Sequence, residues 1–303
     1  MANNLHTLFI LGAGASIPVL PITSGIEMAA KTFIEQINEY KRRLSFRDFP
    51  NKTELNQLHA KLDDLLADIH FLRDACEKHI SIDTAAKKYL SRDNVKLLSQ
   101  IKQGLTDLFS FIQFTQPSST RYDAFIAALY DHHNRRMPDQ VKIISWNYDV
   151  QFELAFSEYY NQISYRDIAT GLNLTPHSNR TPSIGSFFLH KMNGSAAYFD
   201  NSNNQELAPL FPTFNLDRTV KRALETIISN RTNSYKNNIR FAFETKINKN
   251  ELVPLRDSIS NCVNLVVIGY SFPFFNRDYD NFVFAQSNFE NIYVQCPQES
   301  FAD

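Results

Sequence analysis

The chain has 303 residues, enough for one large α/β domain or two small ones, and 43% of them are hydrophobic, which supports a real core. A formal net charge of −1 and a sequence pI near 6.7 give no bulk electrostatic case for a nucleic-acid or membrane-surface partner. Cys76, Cys262 and Cys296 form no Cys-x-x-Cys pair and no even framework, which points to a reducing compartment and away from a zinc ribbon.

In chain order, the N-terminus Met-Ala-Asn-Asn-Leu-His-Thr lacks a basic start, and its apolar run is too short for a signal peptide. No stretch approaches the ~20 apolar residues of a membrane helix, so the expected location is cytoplasmic. Thr7–Leu11 reads as a buried strand, and Gly12-Ala13-Gly14-Ala15-Ser16 as the turn leaving its carboxyl end. Turns at that point in α/β folds bring backbone N–H groups close to an anion, usually a nucleotide phosphate. Pro18 and Pro21 prevent an immediate helix, so residues 17–23 read as a loop over the nucleotide site. Ser24-Gly25-Ile26-Glu27 fits a capping box that opens a helix to about Leu44.

Residues 52–80 and 85–114 carry helical spacing, through Leu55, Leu58, Leu62, Leu65 and Leu66, then Leu97, Leu98, Ile101, Leu105 and Leu108. A further helix is expected around Arg121–His132. The block 45–135 therefore reads as a helical insertion or cap within a single domain spanning 1–303, and as a candidate oligomer surface. Its plainer reading is a helical layer that covers the sheet. Val141–Ser145 is a second buried strand, ending in Trp146-Asn147-Tyr148-Asp149, with a helix following through about Tyr159. Residues 161–205 are irregular, with short strands at Gly185–His190 and Ala196–Phe199. Helices over Leu216–Asn230 and Glu251–Asn261, a strand at Val263–Ile268, a helix over Asp278–Gln286 and a last strand at Asn291–Gln295 complete the chain. The expected fold class is α/β, a Rossmann-like parallel sheet flanked by helices, with the helical insertion after the first strand-helix unit.

Four strand-end clusters carry polar residues: Gly12–Ser16, Asn147 with Asp149, His190 through Gly194-Ser195, and Gly269-Tyr270-Ser271. Ligands of open parallel sheets bind outside the carboxyl ends of the strands, so one shared crevice explains all four. Each also has a plain reading. A glycine turn is common, Asp149 can simply cap the next helix, and a lone histidine is more often structural than catalytic. The aromatic residues, 25 Phe and 13 Tyr, read as core and interface packing.

Taken together, the four clusters resemble the sirtuin-like family. Its pattern is a Gly-Ala-Gly-x-Ser turn, an Asn-x-Asp after a strand, a Leu-His-Gly-type segment and a late Gly-x-Ser turn. Gly269-Tyr270-Ser271-Phe272-Pro273-Phe274-Phe275-Asn276-Arg277-Asp278 is similar in particular to the bacterial branch associated with antiphage defence. The resemblance runs from residue 8 to about 296. The chain departs from the deacetylases in three ways: it has no paired Cys-x-x-Cys module, no Asp-Phe-Arg element in Ile17–Gly25, and an interrupted His190-Lys191-Met192-Asn193-Gly194 segment.

The resemblance implies an NAD glycohydrolase that cleaves the nicotinamide–ribose bond, with NAD as substrate and no metal. It places Gly12, Ala13, Gly14, Ser16, Gly269 and Ser271 at the pyrophosphate and adenosine, and Asn147 and Asp149 at the ribose and carboxamide. It makes Asn147, His190 and Asp149 the catalytic residues, with His190 a general base whose ordinary pKa of ~6.5 suits that role. A homo-oligomer and a separate sensor or activator protein are also implied. The alternative is the same fold holding NAD or ADP-ribose without cleaving it. A dinucleotide oxidoreductase is disfavoured because the turn has no third glycine and no acidic residue ends a second strand ~20 residues on. A nuclease lacks a paired-carboxylate motif and a basic stripe.

Overall fold

Strand β1 (His6–Leu11) opens the protein and ends in a 3-10 turn over Ala13–Ser16. Helices α1 (Ile26–Arg43), α2 (Lys52–Lys78), α3 (Ile82–Leu90), α4 (Val95–Thr115) and α5 (Thr120–Leu129) precede β2 (Val141–Ser145). Then follow α6 (Gln151–Tyr160), α7 (Tyr165–Gly171), β3 (Leu174–Thr175), β4 (Phe188–Lys191), β5 (Tyr198–Phe199), α8 (Val220–Thr232) and β6 (Lys236–Asn237). The chain closes with α9 (Lys249–Ile259), β7 (Cys262–Ile268), α10 (Arg277–Phe284) and β8 (Asn291–Gln295). This computed structural model describes residues 5–45, 51–160, 165–176, 182, 185–199, 219–233, 236–244, 249–285 and 287–295.

The chain forms two compact units, one of Met1–Pro18, Ser118–Ser195 and Arg240–Asp303, the other of Val19–Pro117 and Ala196–Ile239. The first contains a six-stranded sheet of order β3-β4-β2-β1-β7-β8, parallel throughout. It is flanked by helices, an α/β architecture of Rossmann-like type. From β1 the chain moves outward to β2 and then to the edge strand β3, returning for β4 between them. It next crosses to the other side of β1 for β7 and β8, so the strand order reverses between β1 and β7. Doubly wound sheets place their ligand crevice at such a reversal.

Alternation along the strands separates the two sheet faces. Leu8, Ile10, Ile144, Phe188, Leu265 and Val267 form one core with Leu252, Leu255 and Ile259 of α9 and Val283 of α10. On the other face Phe9 meets Phe125 of α5 edge-on at 4.9 Å, and Phe125 meets Phe152 of α6 at 5.9 Å. Burial of each such side chain contributes ~1.5–3 kcal/mol. Strand β2 is buried at every residue, whereas β8 is the edge and is exposed at every residue.

In the helical unit, α1 buries Ile26, Ala30, Phe33, Ile34 and Ile37 at i, i+4, i+7, i+8 and i+11. Phe33 stacks on Phe111 of α4 with centroids 4.2 Å apart. Arg231 of α8 bridges Asp68 of α2 at 2.6 Å and Asp107 of α4 at 2.5 Å, pairing a fully buried carboxylate. No described helix is long and apolar enough to cross a membrane.

Several elements differ from the sequence expectations. The helix expected over 85–114 is two helices, because Asp93 turns to φ +51 and the Asn94 side chain caps α4 by accepting from Leu97 N–H. The capping box at Ser24 does not form. Thr23–Gly25 makes a 3-10 turn, Gly25 takes the cap position without a side-chain bond, and Glu27 pairs with Lys31. The block 45–135 divides: α2, α3 and α4 belong with α1 and α8, while α5 belongs to the sheet unit. Its Phe125 packs on Phe9 and Phe152, which makes α5 a layer on the sheet. The tract read as irregular contains α7 and β3. The expected start of the Leu216–Asn230 helix, the end of the Asp278–Gln286 helix and Cys296 lie partly or wholly outside the described residues.

A methyl group added at Gly12 would sit 2.4 Å from Gly269 O, and one added at Gly269, where φ is +61, 2.4 Å from Ala15 N. Gly12→Ala and Gly269→Ala should each lower unfolding free energy by about 1–3 kcal/mol in urea titration. Gly185→Ala, with nothing within 4 Å of its added methyl, should stay within about 0.5 kcal/mol of the parent.

Candidate functional site

At the strand-order reversal, the turn after β1 lies directly on the turn after β7. Gly12 N–H donates to Ile268 O at 2.9 Å, Gly14 N–H to Gly269 O at 3.0 Å and Ala15 N–H to Gly12 O at 2.9 Å. Besides meeting Gly269 O, a Cβ at Gly12 would come within 2.5 Å of Tyr270 Cα, and one at Gly14 within 2.8 Å of Gly269 Cα. The space a Cβ would take at these glycines is filled by protein backbone, and the Gly12, Gly14 and Ala15 amides are bonded within the protein. Ala13 is exposed at the tip of the turn, and Ser271 is exposed on the facing one.

The same turn delivers Ser16 into a buried polar cluster. Ser16 Oγ donates to Asp149 Oδ2 at 2.7 Å and accepts from Asn147 Nδ2 at 3.1 Å. Tyr122 of α5 completes it, with its hydroxyl 3.2 Å from Ser16 Oγ and accepting from Asn147 Nδ2 at 3.3 Å. Ser16, Asn147, Asp149 and Tyr122 are 1%, 4%, 5% and 4% exposed, so each depends on these bonds for polar satisfaction. Burial, with the Asp149 charge next, pushes the Tyr122 hydroxyl well above its ordinary pKa and keeps it protonated. Tyr122 was missed from sequence because it sits in the apolar pattern of α5 and meets Ser16 only through folding.

Asp149 has a second task. Its Oδ1 accepts from Gln151 N–H at 3.0 Å at the start of α6, the capping role that was the plain reading of this residue. Its backbone carbonyl accepts from Lys191 Nζ of β4. Lys191 also lies 3.5 Å from Glu153 Oε1 in the first turn of α6. Glu153 is fully buried, and among the described residues its carboxyl is supported by Lys191 and by its own backbone N–H. Burial pushes its pKa up, and the Lys191 charge opposes that shift. Glu153 is a functional candidate outside the strand-end clusters, and Lys191 one within the His190–Ser195 cluster to which the sequence assigns no role. At β2, Met192 N–H donates to Ser145 O and Asn193 Nδ2 to Trp146 O, both at 2.9 Å, so the ends of β2 and β4 are fastened together.

His190 stands apart from the cluster. Its register partner on β2 is Ile144, which lies on the α9 and α10 face, whereas Asn147 bonds to Tyr122 of α5. Its Nδ1 pairs with Thr175 Oγ1 of β3 at 2.9 Å. Burial and then the Arg240 charge pull its pKa down to about 3. Burial therefore makes His190 a weaker base than its ordinary pKa implies.

A cleft of about 370 Å³ opens at the carboxyl ends of β1, β7 and β8, lined by Leu11, Ala15, Tyr122, Phe125, Ile268 and Gln295, with Arg121 beside them. Arg121 Nη1 donates to Gly14 O at 3.2 Å. Among the described residues no three His, Cys, Asp or Glu side chains assemble into a metal-binding group. No family model matches the chain, and no curated protein matches it.

Removing Lys191 should expose the cost of burying Glu153. A carboxyl whose folded pKa is raised loses stability as pH rises through the interval between its unfolded and folded values, because the folded state holds the extra proton. In Lys191→Met that interval extends upward from about 4.5, the ordinary value. Its deficit against the parent in urea titration should therefore grow between acid and neutral pH, towards about 3–5 kcal/mol. Adding Glu153→Gln should flatten that pH dependence.

Proposed function

We propose that the sheet unit binds NAD at the carboxyl ends of its strands and hydrolyses the nicotinamide–ribose bond, acting as the NAD-depleting effector of a bacterial antiphage system. The observation that carries this reading is the buried Ser16–Asn147–Asp149–Tyr122 network at the joined ends of β1 and β2, beside the reversal of strand order. Its donor and acceptor set fits ribose hydroxyls and a carboxamide better than it fits a phosphate. The glycine turn acts by bringing Ser16 into the network, and in this reading the rest of the dinucleotide runs along the edge where Ala13 and Ser271 are exposed.

In this reaction water oxygen bonds to ribose C1′, the C1′–nitrogen bond breaks, and its electron pair leaves with nicotinamide as a neutral molecule. The leaving group needs no proton, so the demands are on holding the cationic ribose and aiming the water. Asn147, fixed by Ser16 and Tyr122, has the amide geometry for orienting a ribose hydroxyl or the water. Asp149 holds Ser16 and presents negative charge near the developing cation. Neutral His190 can take the proton of the attacking water, and a weak base suffices where bond breaking runs ahead of attack. In this reading a homo-oligomer and a separate sensor protein keep the activity silent until triggered.

One observation favours a second reading, in which the same site binds NAD or ADP-ribose without cleaving it. His190 has no hydrogen bond to Asn147 or Asp149 and is held at a pKa of about 3. The two readings separate in one experiment: purified protein is incubated with NAD, and nicotinamide and ADP-ribose are followed chromatographically. Hydrolysis predicts nicotinamide release that falls by about 10²–10⁴-fold in Asn147→Ala and comparably in His190→Ala. Saturable NAD binding by calorimetry with no release would establish the binding reading. Wild-type rates in both variants would overturn the site assignment.

A further inference from the structure

Asp280 lies on α10, outside every strand-end motif, yet it contacts both halves of the carboxyl edge. Tyr270, in the turn after β7, donates its hydroxyl to Asp280 Oδ2 at 2.7 Å, and the Trp146 side chain, immediately before Asn147, lies near enough to this carboxyl to help hold its pKa down. The Trp146 and Tyr270 rings stack with centroids 5.7 Å apart and planes 6° from parallel. Asn276 Nδ2 donates to Tyr270 Oη at 3.1 Å, and Tyr279 meets Trp146 edge-on at 6.2 Å. Asp280 is 7% exposed, a depth at which a carboxylate is kept only where partners satisfy it.

We propose that Asp280 is a positioning residue for the site: its carboxylate clasps Trp146 and Tyr270 into one stack and so fixes the loop carrying Asn147 against the turn carrying Ser271. Trp146 N–H is already tied to Leu11 O at 2.9 Å, so the clasp joins the ends of β1, β2 and β7. Its strength depends on pH. Burial raises the Asp280 pKa to about 6, while the hydrogen bond from Tyr270 and the nearby Trp146 side chain hold it down. The other charged groups nearby are engaged elsewhere. Arg256 of α9 lies over Phe282 and pairs with Asp257, and Arg277 of α10 lies over Phe274. Above about pH 6 the carboxylate accepts from Tyr270, which stacks on Trp146; below it, protonation weakens that acceptor and the stack loosens.

Trp146 is the chain's one tryptophan, so tryptophan emission comes from this stack. Titrating the full chain from pH 8 to 5 without ligand should give an emission transition centred near 6, absent in Asp280→Asn. Tyr270→Phe keeps the ring but removes the donor that lowers the carboxyl's pKa, so its midpoint should move to higher pH. That variant also carries the test if Asp280→Asn fails to fold. A transition that persists in Asp280→Asn, or a Tyr270→Phe midpoint that is unmoved or lower, would overturn the clasp. For its consequence the inference rests on the NAD reading: at pH 7.5 Asp280→Asn should release nicotinamide about 10–10²-fold more slowly than the parent. Equal rates would remove the positioning role. A parent that neither binds nor cleaves NAD would overturn the proposed function, while the emission titration still decides the clasp.

Discussion

The carboxyl edge of this sheet depends on one contact, the backbone of the turn after β1 pressed against the backbone of the turn after β7. At Gly12, Gly14 and Gly269 an added Cβ would lie 2.4–2.8 Å from a main-chain atom of the opposite turn. Two hydrogen bonds, Gly12 N–H to Ile268 O and Gly14 N–H to Gly269 O, lock the approach. Everything polar at this edge follows from it. The approach sets the height at which Ser16 enters the cluster, and it brings Tyr270 alongside Trp146.

A second regularity is electrostatic. Burial drives the titratable groups around this edge towards their uncharged forms: His190 down, Glu153 and Asp280 up, the Tyr122 hydroxyl up. Opposing forces are local and specific, namely Lys191 against the Glu153 shift and Tyr270 with Trp146 against the Asp280 shift. Such an environment favours chemistry in which charge is already carried by the reactant, because the protein itself contributes few mobile protons. Cleavage of a cationic pyridinium from ribose is chemistry of that kind.

Much of the sheet was legible in sequence because its strands are short runs of apolar, largely β-branched residues with polar ends. Val141–Ser145 and Asn291–Gln295 coincide with β2 and β8 to the residue. What hid elsewhere had physical causes. The break at Asp93 was hidden because the apolar spacing from Leu97 onward gives no mark of where its helix begins, which a left-handed residue and the Asn94 cap decide. Leu174–Thr175 is only two residues long and takes its strand character from β4. Ser16, Asn147 and Asp149 were visible because strand ends advertise them. Tyr122 meets Ser16 across 106 positions, and Lys191 meets Glu153 between a strand and a helix, so neither pairing leaves a local pattern.

The glycine turn shows why a motif can be read correctly in position and differently in purpose. A phosphate cradle and a backbone-to-backbone contact both require the missing Cβ, so glycine spacing alone does not separate them. The direction of the amides does. Here Gly12 and Gly14 point theirs into the turn after β7, and Ala15 points back to Gly12. With those three donors satisfied internally, the buried polar groups gathered at this edge are side chains: the Asn147 amide, the Ser16 and Tyr122 hydroxyls, and the Asp149 carboxylate. Their positions in turn depend on how firmly the loop after β2 is held, by Asn193 on the Trp146 carbonyl at 2.9 Å and by Asp280 on Tyr270, which stacks on Trp146. The glycines therefore act through packing: they set the spacing within which the side-chain network can form.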